Sequence, residues 1–168
     1  ASVGDSAFED CTHLAEVNLF SHIPNGNEIA YLGNNAFKNC TALRYFTIPY
    51  RVGYIMPGAF ENCSSLAYLV IEVNQNGYTY MPGSFIGCTA LKDLYLYAAT
   101  GTDSASAQAD TCLNFGNSGA PNSLNGNKNV HFYPTSTQMA QADRDGYLIG
   151  LHPYFKFVSG KVEDIPER

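Results

Sequence analysis

The five cysteines are the most reactive side chains of this chain, because a cysteine can act as a nucleophile, a metal ligand or a disulfide partner. Successive cysteines lie 29, 23, 25 and 24 residues apart, and no C-x-x-C pair occurs. An odd number at one recurring position fits a disulfide framework poorly. Structural zinc sites need clustered ligands, which this spacing does not supply. The regular spacing favours buried core positions, since a free Cys packs as a small hydrophobic residue. The positions are Cys11, Cys40, Cys63, Cys88 and Cys112.

The other reactive side chains form no recognisable site. The four histidines, His13, His22, His131 and His152, are scattered and show no ligand spacing. Asp143 and Asp145 could join His152 around a cation, but "DRDG" is more simply a helix end followed by a turn. No phosphate-binding loop, nucleophile elbow or H-E-x-x-H motif occurs. We therefore predict no catalytic residues, no metal site and no cofactor.

The cysteines belong to a repeated segment. Each copy has the pattern small–Phe–x–x–Cys–Thr/Ser–x–Leu–x–x–apolar–x–apolar. In the third copy, Ala59, Cys63 and Leu66 follow the spacing of one face of a helical turn. Leu66, Leu69 and Ile71 then change to the spacing of two that indicates a short strand. The four copies are "SAFEDCTHLAEVNL" (6–19), "NAFKNCTALRYFTI" (35–48), "GAFENCSSLAYLVI" (58–71) and "GSFIGCTALKDLYL" (83–96).

A further apolar position lies four residues before the small residue of each copy, at Val3, Leu32, Ile55 and Tyr80. Each unit thus contains a helical turn, a strand and a return segment. No unit could bury its apolar face alone. Stacking the units buries one continuous core, with parallel strands about 4.8 Å apart.

The unit "AFxxC[TS]xLxxLxI" resembles the BspA-like (Treponema-type) leucine-rich repeat family, which is found mainly in bacterial surface and secreted proteins. The resemblance is strong over residues 1–97 and weak over 98–134. The chain departs from the family pattern after the strand, where Pro49 matches but Phe20, Glu72 and Tyr97 replace the usual proline. We expect an α/β repeat solenoid: a right-handed leucine-rich-repeat horseshoe or rod with short parallel strands, helical turns and a C-terminal cap.

The predicted organisation has three parts. Residues 1–134 form the solenoid, with four clear units and a degenerate fifth that contains an insertion at 98–129 and ends in a strand at 130–134. Residues 135–158 form a cap, with a short helix through about Asp143 and an aromatic segment that covers the open end of the stack. Residues 159–168 are an exposed tail or linker. Because Val3 already occupies a repeat position, we expect further repeats or domains in the parent chain.

Composition excludes some partners. The 168 residues carry a formal net charge of −6, with only 9 Lys and Arg, so no basic stripe exists for nucleic acid. The apolar stretches are too short for membrane insertion. Only 14% of residues are charged, while tyrosines number 12. A low charged fraction with many Tyr, Asn, Ser and Thr favours an extracellular or surface-displayed domain. The family resemblance implies that the surface is that of a bacterial cell.

The most informative residues are those that the strands direct away from the core. Alternation along a strand places them on the open face of the sheet, where tyrosines recur and acids lie nearby. Tyr is enriched in recognition surfaces, although cross-strand aromatic pairs could simply stabilise the sheet. Val70 is predicted to lie on the same open face. The candidate ligand-binding residues are Tyr45, Tyr68, Glu72, Asp93, Tyr95, Tyr97, His131 and Tyr133.

We therefore expect a non-catalytic recognition or adhesion module of a surface or secreted bacterial protein. Its partner would be an extracellular protein or glycan, bound on the tyrosine-bearing strand face. The alternative is a structural spacer that positions another domain. An enzyme is less favoured, because no convergent set of acid, base or nucleophile is visible.

Overall fold

A computed structural model describes residues 2–18, 30–49, 52–73, 79–80, 83–98, 129–133 and 156–159. Two parallel sheets organise these residues. The first sheet contains β1, β3 and β5, and the second contains β2, β4, β6, β7 and β8, each in that order. The strands are β1 Ala30–Leu32, β2 Tyr45–Ile48, β3 Val52–Ile55, β4 Tyr68–Val73, β5 Thr79–Tyr80, β6 Asp93–Ala98, β7 Asn129–Tyr133 and β8 Lys156–Ser159.

The five-stranded sheet confirms the predicted phase of the repeat. Phe46 pairs with Leu69, which pairs with Leu94, so that equivalent residues of successive units lie side by side. Ile48 and Ile71 pair in the same way. The register is continuous between β2, β4 and β6, and the inward residues of β2 and β4 enter one shared core.

The three-stranded sheet was not predicted, although its apolar positions were. Leu32 and Ile55 pair between β1 and β3, and a bridge joins Val3 to Leu32. Leu32 and Ile55 are fully buried. The three described return segments that contain β1, β3 and β5 are therefore strands, so the chain passes between the two sheets in these units.

The predicted helical turn over Ala59, Cys63 and Leu66 is wrong in detail: this stretch consists of successive hydrogen-bonded turns. Alternate amides point in different directions. Glu61 N–H donates to the carbonyl of Gly58 within the unit, whereas Asn62 N–H donates to Ile86 in the next unit. Gly58 and Asn62, four residues apart, have φ values of 69° and 60°. A left-handed residue interrupts a right-handed helix, and Gly and Asn adopt that conformation most readily.

A stack of phenylalanine rings fills the core beside these turns. Phe8, Phe37, Phe60 and Phe85 take the same position in four units, with centroids 5.2, 5.3 and 5.1 Å apart and rings within 11° of parallel. Phe46 from β2 meets Phe60 edge-on at 4.9 Å. Offset stacked and edge-on pairs are the preferred aromatic geometries. The units are therefore joined through their side chains as well as through the sheets.

Several predictions concern residues at the C-terminal side. The strand β7 coincides with the strand predicted at 130–134, and β8 falls at the end of the predicted cap and pairs with β7. Most of the insertion at 98–129, the predicted helix through about Asp143 and most of the tail at 159–168 lie outside the described residues. Within the described ranges, no helix has the length and apolarity needed to cross a bilayer.

Candidate functional site

All eight predicted ligand-binding residues lie on strands of the five-stranded sheet. Tyr45 is on β2, and Tyr68 and Glu72 are on β4. The strand β6 supplies Asp93, Tyr95 and Tyr97, and β7 supplies His131 and Tyr133.

The register arranges them in three rows across the sheet. The first row is Tyr45, Tyr68 and Asp93. The second row places Tyr95 between Val70 and His131, and the third places Tyr97 between Glu72 and Tyr133. Neighbouring rows are two residues apart along each strand, so all three belong to the same face of the sheet.

Three tyrosines form a connected aromatic cluster on this face. The rings of Tyr45 and Tyr68 stack at 5.4 Å with 6° between their planes. Tyr95 meets Tyr68 edge-on at 5.7 Å and 80°. All three side chains are half-buried. We call Tyr45, Tyr68 and Tyr95 the tyrosine cluster.

Charge and burial modify the chemistry of one cluster member. Burial, followed by the negative charge of Asp93, raises the pKa of the Tyr95 phenol. The phenol therefore remains a neutral group that can donate or accept a hydrogen bond. Asp93 lies next to Tyr68 in the first row, which places an acid beside the aromatic rings.

The prediction that Val70 is exposed on the open face is wrong. Val70 was expected to be free for contact, but none of its surface is exposed. It lies in register between Thr47 and Tyr95. Because the Val70 side chain is much shorter than that of its neighbour Tyr95, it is shielded from water. The Thr47 hydroxyl is also buried, and it has no hydrogen-bond partner in the described part of the chain. The side chains at the centre of this face are thus packed together. The rings of the tyrosine cluster provide the surface that a ligand could contact.

Three of the cysteines, in contrast, lie inside the stack. The Cys63 thiol donates to the carbonyl of Phe37 at 3.1 Å, and the Cys88 thiol donates to Phe60 at 3.0 Å. Cys40 does the same to Phe8 at 3.1 Å. These three cysteines are buried and free, as the sequence predicted. Each thiol thus ties its unit to the phenylalanine of the preceding unit.

Cys11 is the exception, because it is exposed. It belongs to the first described unit and has no described phenylalanine carbonyl on its outer side. The sequence placed it in the buried series with the others, and that placement is wrong. The pattern identifies the position of a cysteine within its unit, whereas burial also requires a neighbouring unit.

The buried thiols are held in their neutral form. Burial, with a smaller contribution from Cys63, raises the pKa of Cys40 to about 12. The neighbouring Cys88 thiol and burial raise the pKa of Cys63 as well. A neutral buried thiol is a poor nucleophile. Among the described residues, no group of three or more His, Cys, Asp or Glu could hold a metal ion.

Sequence reasoning missed a second pair of tyrosines. Tyr31 on β1 and Tyr54 on β3 are register partners, and each is 42% exposed. Each lies one residue before a buried repeat position, Leu32 or Ile55. Aligning the units on those positions would have revealed the pair. It was overlooked because the return segment was not predicted to be a strand.

Comparison with known proteins identifies the repeat. A family model described as the BspA type leucine rich repeat region, with 6 copies, matches residues 1–138. Neither the curated proteins nor the solved structures gave a match. The matched range covers both sheets as far as β7 and includes all of the turns described above. The chain belongs to the BspA-type leucine-rich repeat family.

Proposed function

We propose that this chain is a non-catalytic recognition module of a bacterial surface or secreted protein, which binds a protein or glycan through the face that carries the tyrosine cluster. The observation that supports this most is the cluster itself. Three tyrosines from adjacent strands touch one another and still keep part of their surface in water. Tyr combines large apolar area with a polar tip, which suits it to recognition.

The scaffold supports the same proposal. The rings stand on strands whose inner residues, such as Phe46 and Leu69, are buried. Because the base of these rings is already ordered, ligand binding costs less conformational entropy. Asp93 adds an acidic group beside the rings, so the surface offers both apolar contact and hydrogen bonding. Repeats of this family occur typically in surface proteins with binding or adhesive roles, which favours recognition over catalysis.

A binding screen with matched variants tests the proposal. The protein is applied to arrays of glycans and extracellular matrix proteins, together with Tyr68→Ala/Tyr95→Ala. As a matched control, Tyr31→Ala/Tyr54→Ala removes two rings from the other sheet. Loss of central aromatic contacts costs about 2 kcal/mol or more, so we expect the first variant to bind about thirtyfold more weakly. The control should retain its affinity.

Two outcomes would contradict the proposal. If no ligand is captured, or if both double variants bind as the unmodified protein does, the tyrosine cluster is not a recognition surface. The stacking of Tyr45 on Tyr68 would then favour the second candidate, a structural spacer. In a spacer, these rings act only as a cross-strand pair that stabilises the sheet. The first variant would lower the free energy of unfolding and leave every binding signal unchanged.

A further inference from the structure

The first row of the outer sheet face continues into the unit that precedes the tyrosines. Arg44 N–H donates to the carbonyl of Ala15 at 3.4 Å, and the same contact joins the next two units. The residues that follow Ala15 and Arg44 in the chain therefore lie side by side. Since Tyr45 already pairs with Tyr68 on one side, Glu16 is its neighbour on the other.

Glu16 takes the place of a ring in this row and sets a carboxylate beside the stacked tyrosines. The rings of Tyr45 and Tyr68 are within 6° of parallel, with centroids 5.4 Å apart. One face of the Tyr45 ring is therefore turned toward Tyr68, and the other is turned toward the Glu16 position. The Glu16 side chain is 59% exposed. A group that lies over this outer face of Tyr45 would thus meet an aromatic ring and an accessible carboxylate at once.

The chain itself already places a guanidinium beside Glu16. The Arg44 Nη2 atom lies 3.7 Å from Glu16 Oε1, and the Arg44 side chain is 67% exposed. Charge-assisted hydrogen bonds are about 2.7–2.9 Å long, so this ion pair is a loose one. Exposed pairs of this kind contribute about 0–1 kcal/mol. Displacing Arg44 from Glu16 therefore costs little free energy.

We propose that Glu16 and the outer face of Tyr45 form a subsite for an arginine side chain of a protein partner, in competition with Arg44. This inference rests on the proposed function, and it narrows the ligand to a protein that presents an arginine. A planar guanidinium stacks on an aromatic ring and binds a carboxylate through two N–H groups, whereas an ammonium does neither as well. The guanidinium would continue the row of parallel rings by one position.

Charge over a longer range favours the same ligand. Asp93 occupies the row position beyond Tyr68, so that the first row consists of an acid, two rings and a second acid. The whole chain carries a formal net charge of −6. A negative field attracts a basic segment and speeds its encounter with the protein. A neutral glycan would gain no such attraction.

A titration with a small probe tests the subsite. The probe is a peptide with blocked ends and one arginine between glycines, and the matched probe carries citrulline, which has the shape of arginine without its charge. NMR spectroscopy at low ionic strength follows the ring resonances of Tyr45. We expect saturable shifts with the arginine probe and at least about fivefold weaker binding of the citrulline probe, because it loses both the ion pair and the cation–π contact.

Variants of the two charged residues should act in opposite directions. Glu16→Gln removes the carboxylate and should weaken binding of the arginine probe at least about threefold. Arg44→Gln removes the competing guanidinium and should strengthen binding about two- to threefold. Lys38→Gln removes the same charge from the turn side, where Lys38 pairs with Glu61 at 3.2 Å. It measures the effect of net charge alone and should change the affinity less than Arg44→Gln does.

Equal affinity for the two probes, or equal effects of Arg44→Gln and Lys38→Gln, would overturn the inference. The array screen separates this failure from a failure of the proposed function. If Tyr68→Ala/Tyr95→Ala abolishes capture of a ligand but the arginine probe leaves Tyr45 unshifted, the proposed function stands and the arginine subsite fails. If the probe binds as expected but the arrays capture no ligand, the subsite stands and recognition through the tyrosine cluster fails.

Discussion

The turn side of the stack and the outer face of the five-stranded sheet both carry rows of aromatic side chains, yet only the turn side is regular. Four phenylalanine rings on the turn side stack within 11° of parallel, at intervals of 5.1 to 5.3 Å. On the sheet, Tyr45 and Tyr68 stack at 6°, but the next contact, from Tyr68 to Tyr95, is edge-on at 80°.

The difference follows from how each position is held. Each turn-side phenylalanine lies between two residues with left-handed backbone conformation. Its carbonyl accepts a thiol from the next unit where that unit is described, as Phe37 accepts Cys63. On the sheet, only strand register fixes the row, and Asp93 takes the position where a third tyrosine would stand. Units must therefore be alike on the turn side to stack, but they can differ on the sheet without losing their packing.

The largest expected effect is at the centre of the phenylalanine stack. Phe60→Ala removes a fully buried ring that contacts Phe37, Phe46 and Phe85. We expect the free energy of unfolding in urea to fall by about 3–5 kcal/mol. Phe60→Leu should lose less, because it keeps more of the volume. A cost for Phe60→Ala smaller than that of Tyr68→Ala would refute the contrast between the two regions.

A smaller loss is expected at the thiol series. Cys63→Ala removes a small buried group and its hydrogen bond to the Phe37 carbonyl, and should lower the free energy of unfolding by about 1–2 kcal/mol. Cys63→Ser keeps a donor at that position but buries a more polar group. Ligand binding should be unaffected by Cys63→Ala at temperatures where the protein is folded. A specific loss of binding without loss of stability would show that the turn side takes part in recognition.

Alkaline pH should weaken the turn side without any substitution. The pKa of Cys40 is raised from 9.0 to about 12 in the folded state, so the neutral thiol is favoured by folding. Its contribution is fully present below about pH 9 and is lost as pH rises toward about 12. Just above pH 9, the loss should be smaller than that caused by Cys63→Ala. Urea titrations at increasing pH measure it, and Cys40→Ala should make the decline shallower; an identical decline in that variant would contradict the assignment.

The smallest effect on stability is expected on the sheet. Tyr68→Ala removes one stacked and one edge-on ring contact from a half-buried position. Cross-strand side-chain pairs contribute about 0.2–1 kcal/mol each, and partial exposure favours the lower end, so the expected loss is about 0.5 kcal/mol. Thermal unfolding measures the change, with Tyr54→Ala as a control on an exposed ring. If Tyr68→Ala destabilises the protein as much as Cys63→Ala and leaves binding intact, the cluster is structural.

The sequence predicted the stack well because burial repeats with the pattern. Ala59, Cys63 and Leu66 are buried, and Leu69 and Ile71 face the core. The predicted helical turn failed because spacing alone cannot distinguish a helix from successive turns. The glycines and asparagines that recur four residues apart, as at Gly58 and Asn62, were the available signal.

The candidate site was predictable as a set of positions, but its geometry was not. Alternation correctly assigned Tyr45, Tyr68 and Tyr95 to one face of one sheet. Alternation could not show that Val70 is buried, because the exposure of a residue on an open face depends on the size of the neighbouring side chains. The contacts between the rings depend on register across three strands, which only the folded chain defines.

The shared direction of the turn-side amides has an electrostatic consequence. In the sheets, successive amides along a strand point to opposite neighbours, so their dipoles largely cancel. On the turn side, the amides of Phe8, Phe37 and Phe60 all point toward the following unit. The intervening amides fold back into their own turns. The peptide dipoles on this side therefore add along the axis of the stack, as they do in an α-helix, and their negative ends point toward the N-terminal side of the described units.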